Sequence, residues 1–444
     1  MKPKIGIVGL GKLGLPIACA TAKREFNVMG IEKSRDRRIQ IQNFDSSIVE
    51  PGVLQLLRRF HDYPGSFILG TCLPCAIHFA EILFVILPTP SKTSGAFSGK
   101  FLFKISDHIG RILEALKEKK YILIVILSTV MPGTMSKIKE ILETTSKKKC
   151  GRNFDLCYSP ELVAIGSIIE TYLNPDFVII GELNPKAGKR LEEFYKQLFL
   201  NNPPIIRMNY TNAEICKIAL NAYVTTKISF ANTLAEICEQ VPGADVDTIT
   251  NTIGQDSRIG TKFFKGALGY AGFCFPRDQG AFLHLASSIN IHNPISIGTN
   301  TVNNRQPERI VNWVKNILPE NGTVGILGIA FKPNTNVTEE SQGLKIATQI
   351  NKAGIITRIY DPLKPENLYK ILPFNLIWDP SLESVLKSSD VVVIANPYKE
   401  FQNLEPQDFK ENSKIIDCWR ILDASKFKNQ KRVKYFAVGI WDGE

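Results

Sequence analysis

Residues 4–32 read KIGIVGLGKLGLPIACATAKREFNVMGIE, and their order leaves few folds open. A short apolar run gives way to three glycines, then a stretch long enough for a helix, a second apolar run and an acid. A glycine-rich turn alone often serves packing only. In this order each glycine has a separate physical task. One makes a tight turn, one lets a ligand reach the backbone, and one lets a helix lie close on a strand. The amides at the start of such a helix favour an anion. The pattern predicts a dinucleotide held at Gly9, Gly11, Lys12, Leu13 and Gly14. Glu32 ends the second run, where a carboxylate accepts from a ribose 2′-hydroxyl and repels a 2′-phosphate. NAD is therefore expected rather than NADP, although Lys33 and Arg35 stand close by.

Further apolar runs follow in ILFVILPTP, YILIVILSTV, FDLCYSP and FVIIGE, each bounded by turn residues. Continuous apolar strands separated by helical sequence predict a parallel sheet covered on both faces. From Thr211 the character changes. Thr211 and Glu214 fit a capping box, and the stretch to about Glu239 has neither Gly nor Pro. A helix of that length spans roughly 40 Å. Turn-broken helical sequence continues to about Ile317. TVGILGIAF, TRIYDP, DVVVIANP and KIIDCW then restore the first pattern, without the full glycine fingerprint. The expected fold class is α/β, with two doubly wound Rossmann-like domains, at 1–205 and 319–444, joined by a helical domain at 206–318 that contains the long helix.

The net charge of +11 suits a polyanion, either nucleic acid or a small phosphorylated ligand. Lysines cluster in short runs at 117–120, 147–149 and 426–434, with no interleaved aromatics and no nucleic-acid motif, so solvated faces are the plainer reading and no nucleic-acid partner is expected. Nine cysteines at irregular spacing do not suggest a disulfide framework, and Cys72 and Cys75 form a lone CxxC. Five histidines without an i, i+4 pair predict no metal. No stretch reaches the apolar length of a membrane span, and the first residues run straight into a strand, so a cytoplasmic protein is expected.

The segment GALGYAGFCFPRD places Cys274 after Gly266, Gly269, Tyr270 and Gly272, with Asp278 four residues on. Its glycines suggest room for a ligand. By composition alone such a cysteine is more often a small buried hydrophobe. Its surroundings point elsewhere. GYAGFCFPRD resembles the GFGGSCFPKD signature of the UDP-glucose/GDP-mannose dehydrogenase family. SPELVAIG, at 159–166, is similar to that family's NPEFLREG, and GILGIAFKPNT to the opening of its third domain. EICKIALNAYVTTKISFANTLAEICE and GADVDTITNTIGQDSRIGTKF resemble its central helix and the stretch before the cysteine. The likeness covers essentially the whole chain in order, and DSRIGTKF leans toward the UDP-glucose branch.

The resemblance implies oxidation of a sugar C6 hydroxymethyl to a carboxylate, with two hydrides passed to NAD. Cys274 would trap the aldehyde as a thiohemiacetal, later a thioester released by water. Lys217 and Asn221, i and i+4 on the long helix, would face the sugar as proton acceptor and hydrogen-bond donor. Glu161 would be the base for hydrolysis. Asp278 and Thr129 would hold a water or tune protonation, with local turn capping as their bland alternative. The resemblance adds Thr89, Ser128, Thr129 and Arg277 around the cofactor. Around the substrate it adds Leu162, Phe264, Gly266, Gly269, Tyr270, Gly272, Arg258, Lys332 and Arg420. Arg258 would reach a neighbouring subunit, which implies a homodimer or larger homo-oligomer.

The departures cluster. Ile165 stands where the family has a second acid, Arg277 where it has Lys, Val337 where it has Asp, and Glu339 where it has Arg; Ala271 and Phe273 replace Gly and Ser. An acid near a pyrophosphate, in place of a cation, would cost about 1–3 kcal/mol of cofactor binding. Three readings follow: a UDP-glucose dehydrogenase, the same chemistry on GDP-mannose or a UDP-N-acetylhexosamine, and an impaired nucleotide-sugar-binding homologue.

Overall fold

The computed structural model describes residues 2–63, 65–116, 120–365, 368, 376–427 and 430–441. Residues 117–119 and 428–429 of the basic runs lie outside that set. The backbone groups into two compact units, Met1–Ala219 and Leu220–Glu444.

Among the described residues the first unit contains eight strands: β1 Ile5–Val8, β2 Val28–Ile31, β3 Phe67–Gly70, β4 Ile82–Val85, β5 Leu123–Ile126, β6 Asp155–Tyr158, β7 Val178–Glu182 and β8 Ile205–Asn209. They form one sheet in the order β3-β2-β1-β4-β5-β6-β7-β8. The strands β1, β4, β5 and β6 are buried along their whole length, between an apolar cluster that includes Leu15, Ile17 and Phe194 and another that includes Leu102, Met135 and Ile138. One expectation needs correcting, because β7 runs antiparallel to β6, with Tyr158 opposite Gly181. The intervening chain holds only the six-residue helix Ile168–Leu173 and needs no crossover. The SPELVAIG segment therefore turns back at the carboxyl end of β6.

The glycine turn sets the packing of the first helix, Gly14–Lys23. A Cβ at Gly14 would lie 1.9 Å from the Gly9 carbonyl oxygen, and one at Gly9 (φ 96°) would lie 2.2 Å from that of Ile86. Neither obstacle is a side chain that can swing away.

In the second unit β9 Val324–Leu327, β10 Thr357–Tyr360, β11 Leu376–Trp378, β12 Val391–Ile394, β13 Ser413–Asp417 and β14 Val433–Ala437 form an all-parallel sheet ordered β11-β10-β9-β12-β13-β14. That is the order of the first six strands of the other sheet. The glycine logic also survives further than the sequence spacing suggests. A Cβ at Gly343 would lie 2.2 Å from the Gly328 carbonyl oxygen, repeating the Gly14 contact across a longer loop.

The long helix is Tyr210–Cys238, and Val246–Gly254, Phe275–Ser288 and Pro294–Ile317 follow it. Ala235, Cys238, Val246, Ile310 and Val314 share one apolar cluster with Val324, Ile326 and Val393. Most of the helical segment thus packs as one unit with the second sheet. The expected capping box is absent. Asn209 accepts from the Asn212 amide at 2.8 Å. The buried Glu214 carboxylate instead accepts from Gly133 N (2.8 Å) and Met135 N (2.7 Å), capping the helix Thr134–Ser146. Cys72 and Cys75 form a disulfide, contrary to the reading of the cysteines, because one turn at the start of the helix Leu73–Phe79 brings their Cα atoms to 5.2 Å.

Glu214 makes the start of the long helix depend on one carboxylate. Glu214→Ala strands the buried Met135 amide, leaves the exposed Gly133 amide to water, and should lower unfolding free energy by about 1–3 kcal/mol in urea titrations. A change under about 0.5 kcal/mol would show that water replaces the cap.

Candidate active site

Gly11 differs from its two neighbours in the fingerprint. It is exposed, and a Cβ there would meet no protein atom within 4 Å. The turn therefore leaves open the one glycine that a pyrophosphate would approach. Glu32 stands beside it at the end of β2. Its carboxylate accepts from Leu10 N (3.0 Å) and Ser34 N (2.8 Å), which fixes its orientation. Arg37 and Arg38 donate to the carbonyls of Leu10, Glu32 and Lys33 and so brace the backbone around the acid. The loops after β4 and β5 are stitched together by Ser128, which donates to Leu87 O at 2.7 Å and accepts from Leu87 N at 2.9 Å. The Thr89 hydroxyl donates to Thr129 O at 2.8 Å. Lys12 is exposed, and Leu13 and Thr129 are half-buried. These residues fit a dinucleotide.

Glu161 follows β6. The residue is half-buried overall, but its side chain lines a small cavity with Tyr172, Phe177, Val178, Tyr195 and Phe199. Burial pushes its carboxyl pKa up to about 8, with Lys217 pulling the other way. Lys217 itself is 6% exposed, on the first third of the long helix. A carboxyl that titrates near neutrality beside a buried cation is suited to proton transfer. Leu162 and Ile165 are half-buried beside it, and Ile165 packs on the apolar cluster.

In the second unit Cys274 is exposed at the N-terminus of the 14-residue helix Phe275–Ser288. Amides at that end favour a thiolate or a developing oxyanion. Asp278, 1% exposed, lies one turn on, and its amide donates to the Cys274 carbonyl at 2.8 Å. The Asn221 amide donates to the Asp278 carboxylate at 2.6 Å. Cys274, Asp278 and Asn221 are thereby brought together by one hydrogen bond between two helices. Arg277 is half-buried, with its Nε 3.8 Å from Asp278.

The glycines before the cysteine lie close against protein on the side a Cβ would occupy. A Cβ would lie 3.0 Å from Ala231 O at Gly266, 2.3 Å from Asn303 Oδ1 at Gly269, and 2.6 Å from the Phe331 ring at Gly272. The loop is then pinned by polar side chains that the sequence reading missed. Asn232 accepts from Ala267 N and donates to Leu268 O, Asn303 and Gln342 donate to Tyr270 O, and Asn300 accepts from the Tyr270 hydroxyl. Their one sequence signal is an uncharged polar residue at a buried helical position.

Comparison with known proteins accounts for this geometry. Three family models match in order: the NAD binding domain of the UDP-glucose/GDP-mannose dehydrogenase family at residues 3–199, its central domain at 211–305 and its UDP binding domain at 325–424. A UDP-glucose 6-dehydrogenase of Haloferax volcanii is 30% identical over 94% of this chain and 97% of its own. The chain belongs to the UDP-glucose/GDP-mannose dehydrogenase family. A UDP-glucose 6-dehydrogenase of Bacillus subtilis is 29% identical over 98% of this chain and 97% of its own. The solved UDP-glucose dehydrogenase of Pyrobaculum islandicum superposes with a TM-score of 0.87 at 25% identity, covering 99% and 98% of the two chains. A UDP-D-ManNAc dehydrogenase of Pyrococcus horikoshii, at 23% identity and TM-score 0.81 over 98% and 99%, shares the fold.

As a member of this dehydrogenase family the chain is an oxidoreductase that uses NAD and binds a nucleotide sugar. No helix among the described residues is long and apolar enough to cross a membrane. Of the residues expected at the substrate, Arg258 is exposed and paired with Asp256 at 2.6 Å. Phe264 is buried and stacks on Phe230, and Lys332 lies 5.6 Å over the Phe331 ring. The Arg420 guanidinium is bidentate on Asp245 at 2.8 Å and also pairs with Asp247.

The enclosed carboxyl of Glu161 predicts a pH-dependent stability. Its folded pKa lies above the ordinary 4.5, so over the window up to about 8 the unfolded chain ionises first and stability falls as pH rises. Glu161→Gln removes that penalty. Its unfolding free energy relative to the parent should grow across that window, by at most about 1.4 kcal/mol per pH unit. Parallel pH profiles in urea titrations would mean that the carboxyl is not enclosed.

Proposed function

We propose that the chain oxidises UDP-glucose to UDP-glucuronate through covalent catalysis at Cys274, and that it does so in the cytoplasm, where NAD and nucleotide sugars are drawn from common pools. The observation that carries this reading is the exposed Cys274 at a helix N-terminus, with Asp278 and Asn221 joined at 2.6 Å one turn away. The names of the Haloferax and Bacillus relatives support UDP-glucose as the sugar.

Bound NAD supplies the hydride acceptor for both oxidations. Lys217 takes the proton as the C6 alcohol becomes an aldehyde, aided by its buried position. The Cys274 sulfur adds to the aldehyde carbon and forms a thiohemiacetal, whose oxyanion Asn221 and Lys217 stabilise. Loss of the second hydride leaves a thioester. Water then adds to the acyl carbon, Glu161 accepts its proton, and the C–S bond breaks to release the carboxylate and the thiol. Thr129 and Asp278 orient water and hold the protonation state near the sulfur. Arg258 and Lys332 meet the diphosphate as a fork and as a point charge.

We also read the chain as a homodimer through the long helix. Tyr223, Phe230 and Ile237 recur every seven residues on it, and each is at least half exposed (62%, 54% and 52%). Such a stripe marks an interface more often than a free surface. Arg258 would then serve the neighbouring subunit.

Purified protein should form two NADH per UDP-glucose consumed. Cys274→Ser should cut sustained turnover by about 10³-fold or more, and a full parental rate in that variant would remove the covalent mechanism. Tyr223→Glu combined with Ile237→Glu should halve the mass measured by light scattering. An unchanged mass would place the subunit contact elsewhere.

A further inference from the structure

The segment 159–168, which carries Glu161, is tied down at both ends. At its start Ser159 N donates to Ile126 O at 3.0 Å, the Ser159 hydroxyl donates to Ile179 O at 2.9 Å, and the Tyr195 hydroxyl donates to Ser159 Oγ at 2.8 Å. At its far end one side chain takes both amides. Glu50 accepts from Gly166 N at 2.7 Å through one carboxylate oxygen and from Ile168 N at 2.6 Å through the other. Gly166 sits at φ 87°, the bend that lets the two amides converge.

Glu50 rests on firm support. Its carbonyl accepts from Val53 N, and the helix Val53–Asp62 buries Val53, Leu56, Leu57 and Phe60 in the same apolar cluster that Val163, Ile165 and Ile168 pack against. More than a hundred residues of chain separate the two partners, so the contact is tertiary rather than a turn formed by the loop itself. Charge-assisted bonds to two amides two residues apart fix both position and direction of the loop's end.

We propose that Glu50 is a positioning residue for the hydrolytic step: it fixes the loop so that Glu161 meets the water that attacks the Cys274 thioester. This rests on the reading of Glu161 as the base in that step. Hydrolysis asks the loop to be exact, because a displacement of about 1 Å can cost on the order of 100-fold in a proton transfer.

The test uses the full chain with NAD and UDP-glucose in rapid-mixing measurements, read alongside hydrogen exchange of the ligand-free protein. Glu50→Gln keeps the shape but turns one acceptor into a donor facing an amide. It should retain a rapid burst of two NADH per Cys274, lower the steady-state rate by about 10–100-fold, and accumulate acyl-enzyme visible as added intact mass. Exchange should quicken over 160–168 alone. Glu50→Asp keeps both acceptors on a shorter arm and should recover part of the rate. Glu161→Gln is the reference and should show the same burst and accumulation. If Glu161→Gln turns over without accumulating acyl-enzyme, the reading of the base fails and this inference fails with it. If Glu161→Gln accumulates but Glu50→Gln either matches the parent or loses burst and steady state in proportion, only the positioning role is overturned. Unchanged exchange over 160–168 in Glu50→Gln overturns it without any substrate.

Discussion

Each sheet depends on a helix that touches a strand turn through bare backbone. Gly14 against the Gly9 carbonyl, and Gly343 against the Gly328 carbonyl, admit no Cβ, and the obstacle in each case is main chain that cannot rotate away. That contact fixes how each first helix lies on its sheet, and from it follow the position of the acid at the end of the second strand and the face on which ligands can bind. The two copies then diverge in one respect. In the first, Gly11 is open and Glu32 accepts from Leu10 N with its other oxygen held by Ser34 N. In the second, Asp361 is 2% exposed and accepts from Ile329 N, Ala330 N, Leu363 N and the Tyr398 hydroxyl. An acid so fully occupied cannot accept from a ribose. The same frame thus binds a dinucleotide in one unit and uses the equivalent acid as internal structure in the other.

The cysteine loop follows a similar economy. Its glycines lie against Asn303, Phe331 and the long helix on the side a Cβ would occupy, and Asn232, Asn303 and Gln342 hold its backbone. Rigid placement suits a nucleophile, which must be aimed rather than accommodated. Flexibility would lower reactivity while gaining little in binding.

Where the sequence was legible and where it was not have one physical cause. The ten strands read from apolar runs are the interior strands of both sheets. The four overlooked, β3, β8, β11 and β14, are the four sheet edges. An edge strand has one neighbour and partial exposure, so Ile205–Asn209 mixes Arg207 and Asn209 into its run and gives no continuous apolar signal. The antiparallel β7 was read as parallel because direction leaves no trace in composition. At the site, motif resemblance points to Cys274, Lys217, Glu161 and Asn221, and the fingerprint to Glu32. Neither points to Asn232, Asn303, Gln342 or Glu50, because each acts on backbone from a distant part of the chain, and such contacts have no local pattern. The pairing of Arg420 with Asp245 and Asp247 is of the same kind, since the partners lie far apart in the chain.

The departures from the family pattern divide by burial, and the division locates where function has room to differ. Ile165 packs on the apolar cluster of the first unit, and Val337 is 4% exposed with its carbonyl bonded to Phe331 N. Ile165 replaces an acid by an apolar group against an apolar cluster, and Val337 does so at a buried position, which removes a desolvation cost. Phe273 and Glu339 behave differently. Both are exposed, and they flank the same junction, where the Gly272 amide donates to the Glu339 carbonyl at 3.0 Å one residue before Phe273. An aromatic ring next to the nucleophile and a carboxylate on the strap behind it are thus open to whatever approaches the loop. An acid there disfavours an anionic group, and a phenyl ring favours a flat or apolar one, so these two exposed departures bear on what reaches the rim of the cysteine loop, while Ile165 and Val337 bear on packing.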